Sequence, residues 1–130
     1  MHIALQEDLV CSAVVYPGSV DEVQAIVRWA NKYLIPLYPI SMGRNLGYGG
    51  AAPRVPGSIV IDLGRRMNRI LNIDAENASC LVEPGVSYFA LYEEIQRRNL
   101  PLWIDTPDVG GGSVLGNAID RGVGYVVVVR

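Results

Sequence analysis

Histidine and phenylalanine each occur once among the 130 residues, and cysteine occurs twice. Cys11 and Cys80 are too few for a disulfide framework and lack the CxxC spacing of a zinc or redox motif. They are read as small buried hydrophobes, and no metal site is expected. Neither sign of charge dominates. Eleven Lys and Arg stand against thirteen Asp and Glu, a formal net charge of −2, and Arg65-Arg66 and Arg97-Arg98 are the only adjacent basic pairs. A nucleic-acid binder needs a clustered basic footprint, so that class is excluded. No apolar run approaches the roughly 20 residues that span a bilayer, and no basic start followed by a short apolar core marks a leader. The sequence therefore predicts a soluble, intracellular protein without a membrane partner, cytoplasmic or peroxisomal.

Hydrophobic residues make up 50% of the chain, with 14 Gly and 8 Pro. That composition suits one globular domain with much unusual backbone. Residues 1–10 carry no pattern and read as a lead-in. Cys11–Tyr16 reads as a buried strand stopped by Pro17-Gly18. Ser19 with Glu22 forms a capping box for a helix whose core-facing stripe is Val20, Val23, Ile26, Val27 and Ala30. Pro36 and Pro39 make Leu34–Ile40 an extended edge segment. Ser58–Leu63, Arg69–Ile73 and Ser79–Val82 read as strands, the last two joined by a turn at 74–78. Ser87 caps a second helix with Tyr88, Leu91, Tyr92 and Ile95 inward, ended by Asn99 and Pro101. Leu102–Ile104 is a short extended piece, and Asn117–Arg121 a helical turn. The expected fold is α+β, about five short strands with two helices. Val126–Val129 runs apolar into Arg130 without a turn or cap, so residues 126–130 read as the tail of a truncated domain.

Two glycine-rich loops remain. The first is Gly43-Arg44-Asn45-Leu46-Gly47-Tyr48-Gly49-Gly50, where backbone N–H groups can converge on a phosphate and Arg44 adds a charged fork. Its spacing departs from GxGxxG, Pro53 and Pro56 forbid a following helix, and no Gly-Lys-Ser/Thr occurs, so neither the Rossmann fingerprint nor the P-loop is present. By composition it is a structural loop or a ligand cradle. The second loop, Pro107 to about Gly116, contains Gly110-Gly111-Gly112. Three consecutive glycines have no packing use; they make a floppy turn or admit a flat ligand to the main chain. Ser113 or Asn117 is placed to cap a short helix after it.

The strings GRNLGYGGAAPRVPGSIVIDLGRRMNRIL, LVEPGV and WIDTPDVGGGSVLGNAIDRGVGY resemble the vanillyl-alcohol oxidase family of flavoproteins, which includes eugenol oxidase and p-cresol methylhydroxylase. The resemblance covers residues 11–125 and implies the first subdomain of a p-cresol methylhydroxylase-type FAD-binding domain. It implies FAD contacts at Gly43, Arg44, Asn45, Leu46, Gly47, Gly49 and Gly50, then at Pro107, Gly111, Gly112, Ser113, Gly116 and Asn117. It gives the Glu83–Val86 turn a structural role. It places Asp108 beside the flavin N5 as an acid or base, and Tyr48 and Tyr125 in a pocket for a phenolic small molecule. The implied chemistry is hydride transfer from a benzylic carbon to the flavin. Read from the residues alone, Tyr48 braces its loop and Asp108 caps a turn. His2, the single histidine, lies in the unmatched lead-in and reads as an exposed residue. The rest of the FAD domain, the substrate cap and a phenolate-clamping Arg are not among these residues. The isolated chain is therefore expected to bind FAD without turnover; full length, the family member is a possible homo-oligomer. The alternatives are a non-catalytic interaction module or a non-functional fragment.

Overall fold

The structure, a computed structural model, describes residues 10–44, 50–106, 110–120 and 122. Its first layer is a three-stranded parallel sheet. Strand β1 (Ala13–Val15) leads through helix α1 (Val20–Tyr33) to β2 (Leu37–Ile40), and β3 (Ile59–Asp62) inserts between them. Val14 pairs with Val60, and Tyr38 pairs with the same residue from the other side. Central β3 is apolar up to its last residue, Asp62, and Ile59, Val60 and Ile61 are all buried, the pattern of a parallel strand covered on both faces. Strand β1 is different. It was expected to be buried, but it forms the sheet edge, and Val14 and Tyr16 are exposed.

Helix α1 starts where the sequence places it. The Ser19 hydroxyl accepts the N–H of Glu22 at 3.2 Å. The reciprocal half of the box is displaced: the Glu22 carboxylate accepts from Gly18 and from Arg66, not from Ser19. The core stripe is narrower than expected. Ala30 is buried and Val23 and Ile26 half-buried, while Val20 and Val27 are exposed. At 100° per residue, Val23, Ile26 and Ala30 fall within about 60° of one another and the two valines lie on the flank.

The second layer is an antiparallel hairpin, β4 (Ile70–Asp74) and β5 (Ser79–Val82), packed against helix α2 (Tyr88–Arg97). Asp74 closes the turn by accepting from the N–H groups of Glu76 and Asn77. Ser87 caps α2 by accepting from Ala90 at 3.0 Å. Val86, Leu91 and Ile95 form the buried core, flanked by Ile70, Ile73, Val82, Leu102 and Ile104. Tyr92, expected inward, is exposed because it sits one position off the Leu91–Ile95 face. Leu102–Ile104 packs there without joining a sheet. The helical turn expected at 117–121 is a third helix, α3 (Val114–Ile119), which begins earlier because Ser113 is its cap. The cysteines are not core residues. Cys80 is exposed although its cross-strand partner Ile73 packs against the core, and Cys11 is half-exposed before the edge strand. Among the described residues no helix is long and apolar enough to cross a membrane.

The layers meet at a seam without side chains. A Cβ on Gly64, just past β3, would overlap the carbonyl of Ser41, just past β2; a Cβ on Gly85, just past β5, would overlap the carbonyl of Gly64. Gly85 also donates its N–H to Met67 at 2.8 Å. Beside the seam, buried Glu83 accepts from the main-chain N–H of Arg69 (2.8 Å) and from its guanidinium (2.6 Å). The same hydrogen bonds hold the Glu83 carboxyl below its ordinary range. Three strand ends thus arrive at one place, and both glycine-rich loops lie next to it.

Helix α2 carries an acid-sensitive cluster. The Arg97 and Arg98 guanidinium groups bond the Glu94 carboxylate and hold it at about 2, against an ordinary 4.5. A depressed carboxylate stabilises the fold above its ordinary value and loses that contribution as pH falls through the folded one. Glu94→Gln is expected to cost a modest stability at neutral pH, where the contribution is present but screened because Arg97 is exposed. It should flatten the loss of stability between pH 4.5 and about 2; urea midpoints across that window check it.

Candidate cofactor site

The second glycine loop is zipped to the start of α2. Gly112 O accepts the N–H of Tyr88 at 3.2 Å, Gly110 O accepts that of Phe89 at 3.1 Å, and Val114 donates to Val86 O at 3.0 Å. The Ser113 hydroxyl donates to Pro84 O at 2.6 Å and accepts from Gly116 at 3.0 Å. Asn117 Nδ2 donates to Tyr88 Oη at 2.9 Å. Two consequences follow. The first N–H groups of α2 are consumed by protein, so that helix end offers no anion site. The Gly111 and Gly112 N–H groups find no acceptor among the described residues, and a Cβ on Gly112 would meet nothing within 4 Å. Free donors border open space there. The glycine run also has a packing use, contrary to expectation: the Phe89 ring lies 3.3 Å from where a Gly110 Cβ would stand.

The first loop leaves β2 at Ser41 and turns at Gly43, whose φ is 65°. Arg44 is exposed and forms no hydrogen bond or ion pair with a described residue. One guanidinium nitrogen, Nη1, lies 2.9 Å from where a Cβ on Gly111 would stand. A charged fork without a partner among the described residues therefore rests against main chain that only glycine leaves uncovered. The Ser41 hydroxyl comes within 2.5 Å of a Cβ position on Gly116, a second point where the loops touch. At the far end of the loop, Gly50 O accepts from the Tyr38 hydroxyl at 2.9 Å.

Of the residues expected to hold a cofactor, Gly43, Arg44, Gly111, Gly112, Ser113, Gly116 and Asn117 gather around this junction, with Gly50 at the loop exit. Ser113 offers little beyond main chain, because its hydroxyl is engaged. Asn45, Leu46, Gly47, Gly49 and Pro107, and the expected catalytic residues Tyr48, Asp108 and Tyr125, lie outside the described residues. Sequence reasoning missed Ser41 and gave Tyr88 only a core role. Neither belongs to a glycine string, and their position beside one was the signal available.

Main-chain N–H groups and a guanidinium without an acceptor among the described residues, beside space beyond Gly112, are donors of the kind that a diphosphate bridge needs. The sequence profile of the FAD binding domain family matches residues 11–130. The chain belongs to the FAD binding domain family. Within it, the chain is the N-terminal part of a p-cresol methylhydroxylase-type domain, and its cofactor is FAD. It is 46% identical over 116 residues to the 4-cresol dehydrogenase [hydroxylating] flavoprotein subunit of Pseudomonas putida, covering 88% of this chain and 22% of that protein. It is 44% identical over 116 residues to 1'-carboxy-chondrochloren decarboxylase of Chondromyces crocatus, covering 86% and 21%. The structure of 4-ethylphenol oxidase from Gulosibacter chungangensis, an isoeugenol complex, superposes with a TM-score of 0.88 at 50% identity, covering 91% of this chain and 23% of that one. The chain thus spans about a fifth of the length of these relatives. Relatives named for a dehydrogenase and a decarboxylase share this part almost equally, as a common cofactor cradle beneath different reactions would.

Proposed function

We propose that this chain supplies the FAD-holding part of a flavin-dependent oxidoreductase that acts on para-substituted phenols, and that residues 1–130 alone bind FAD without turning over substrate. The contact of Arg44 with Gly111 carries the reading. It draws the two loops into one donor-lined junction, and Arg44 has no competing partner among the described residues. When bound, FAD supplies the acceptor for a hydride from the benzylic carbon of the phenol. The protein's part is to hold and orient it. Arg44 and the Gly111 and Gly112 main chain grip the diphosphate, and the family resemblance adds Asn45, Leu46, Gly47, Gly49 and Pro107 as FAD contacts. Tyr48 and Tyr125 stabilise negative charge on the phenol oxygen, as donors aimed at a developing oxyanion do. Asp108, brought next to the flavin ring, holds or moves a proton. These last three roles rest on the family resemblance.

Support for the phenol class comes from the relatives named for 4-cresol and 4-ethylphenol. Calorimetric titration of the 130-residue chain with ADP and with FAD tests the binding claim. Both ligands should bind, because they share the diphosphate; absence of heat at about millimolar ligand, a free-energy bound near −4 kcal/mol, would sink it.

A further inference from the structure

Ser41 stands one residue beyond β2 and three before Arg44. Its main chain has no room to retreat, since its carbonyl abuts Gly64 and Gly64 is backed by Gly85. Its hydroxyl forms no hydrogen bond with a described residue, yet it occupies the space a Gly116 side chain would need. Gly116 is equally anchored, because Ser113 and Val114 tie the start of α3 to Pro84 and Val86. Two fixed backbones therefore meet through one hydroxymethyl group. Three residues after Ser41 and five before Gly116, Arg44 lies over Gly111.

We propose that Ser41 and Gly116 form a spacer that sets the width of the gap between the loops, and through it the placement of Arg44 over Gly111. Both are positioning residues for the cofactor's diphosphate. The resemblance implies that Gly116 touches FAD itself; the geometry gives it another task, leaving room for Ser41. The inference rests on the flavin reading above but has a ligand-free readout of its own.

The test compares the 130-residue chain with Gly116→Ala, Ser41→Ala and the double variant, by calorimetric titration with ADP and FAD and by urea unfolding without ligand. Gly116→Ala should weaken both ligands about tenfold or more by forcing the gap wider, and Ser41→Ala should weaken them by a smaller factor by letting it narrow. The double variant should recover to within about threefold. Once the hydroxyl is gone, the nearest neighbours of the new methyl group are Ser113 Cβ at 3.3 Å and Oγ at 3.5 Å. A glycine in direct contact with the ligand gives no such rescue, so a double variant as weak as Gly116→Ala overturns the proposal. So does a Gly116→Ala chain that binds like wild type, which means Ser41 simply rotates aside. If Gly116→Ala does not fold, recovery of folding and binding in the double variant supports the spacer and failure to recover overturns it. A wild-type chain that binds neither ligand sinks the flavin reading instead. In that case the unfolding series decides the contact: non-additive urea midpoints for the two substitutions support it, and additive ones overturn it.

Discussion

Gly85→Ala lowers the unfolding free energy by about 3 kcal/mol or more, the upper range for overpacking a close-packed interior. The reason lies in what the methyl group meets. Beyond the Gly64 carbonyl oxygen, Gly64 Cα is 2.7 Å and its carbonyl carbon 2.8 Å from the new atom. All three belong to main chain, so no side-chain rotation relieves the overlap. Either the hairpin layer slides away from the parallel sheet, or Gly64 pushes back on Ser41. Gly57→Ala is the matched control. Gly57 sits at φ 80° with nothing within 4 Å of its Cβ position, so it suffers only the left-handed backbone penalty, about 1–2 kcal/mol. Urea unfolding of both variants separates the two effects. Equal losses would mean that the seam tolerates a methyl group and that packing there is loose.

Arg44→Ala should leave the unfolding free energy within about 0.5 kcal/mol of wild type, because the guanidinium is exposed and holds no partner among the described residues. Its effect falls on the ligand. A hydrogen bond to a charged group contributes roughly 1.5–3 kcal/mol, so the affinity for FAD and ADP should drop about ten- to hundredfold. Adenosine, which lacks the phosphates, should bind the variant and wild type alike. Gly112→Ala extends the test to the other loop. A Cβ there meets no protein atom within 4 Å, so the fold should be indifferent while the ligand, if it lies over that main chain, is displaced. Full ADP affinity in both variants would remove the diphosphate from this junction.

Much of the local structure was legible in the residues. Ser19 and Ser87 cap the two longer helices because a side-chain oxygen three residues before an N–H is a local geometry that needs nothing from the rest of the chain. The turn at Asp74 is local in the same way. Burial was less legible. Tyr92, Val20 and Val27 follow the helical period yet lie on the flanks, and β1 reads as a core strand yet forms an edge. Periodicity identifies a face without saying how wide the layer covering it is. Cys80 shows the same limit: it stands opposite Ile73, which packs against the core, yet the layer covering that face does not reach Cys80.

For the site, the sequence by itself determined the cofactor family and the residue types. Long strings of glycine, arginine and asparagine in order are specific, and they are rich in exposed main-chain donors and a charged fork. Only the tertiary structure decided how the loops meet. Ser41, Gly64 and Gly85 are separated by more than twenty residues each in the chain and become neighbours because three strands end together. Whether a glycine is free space or filled space depends on the atom opposite it: Gly112 faces none, Gly110 faces Phe89, Gly111 faces Arg44 and Gly116 faces Ser41. That distinction is a property of chain segments brought together in space, so no reading along the sequence could contain it.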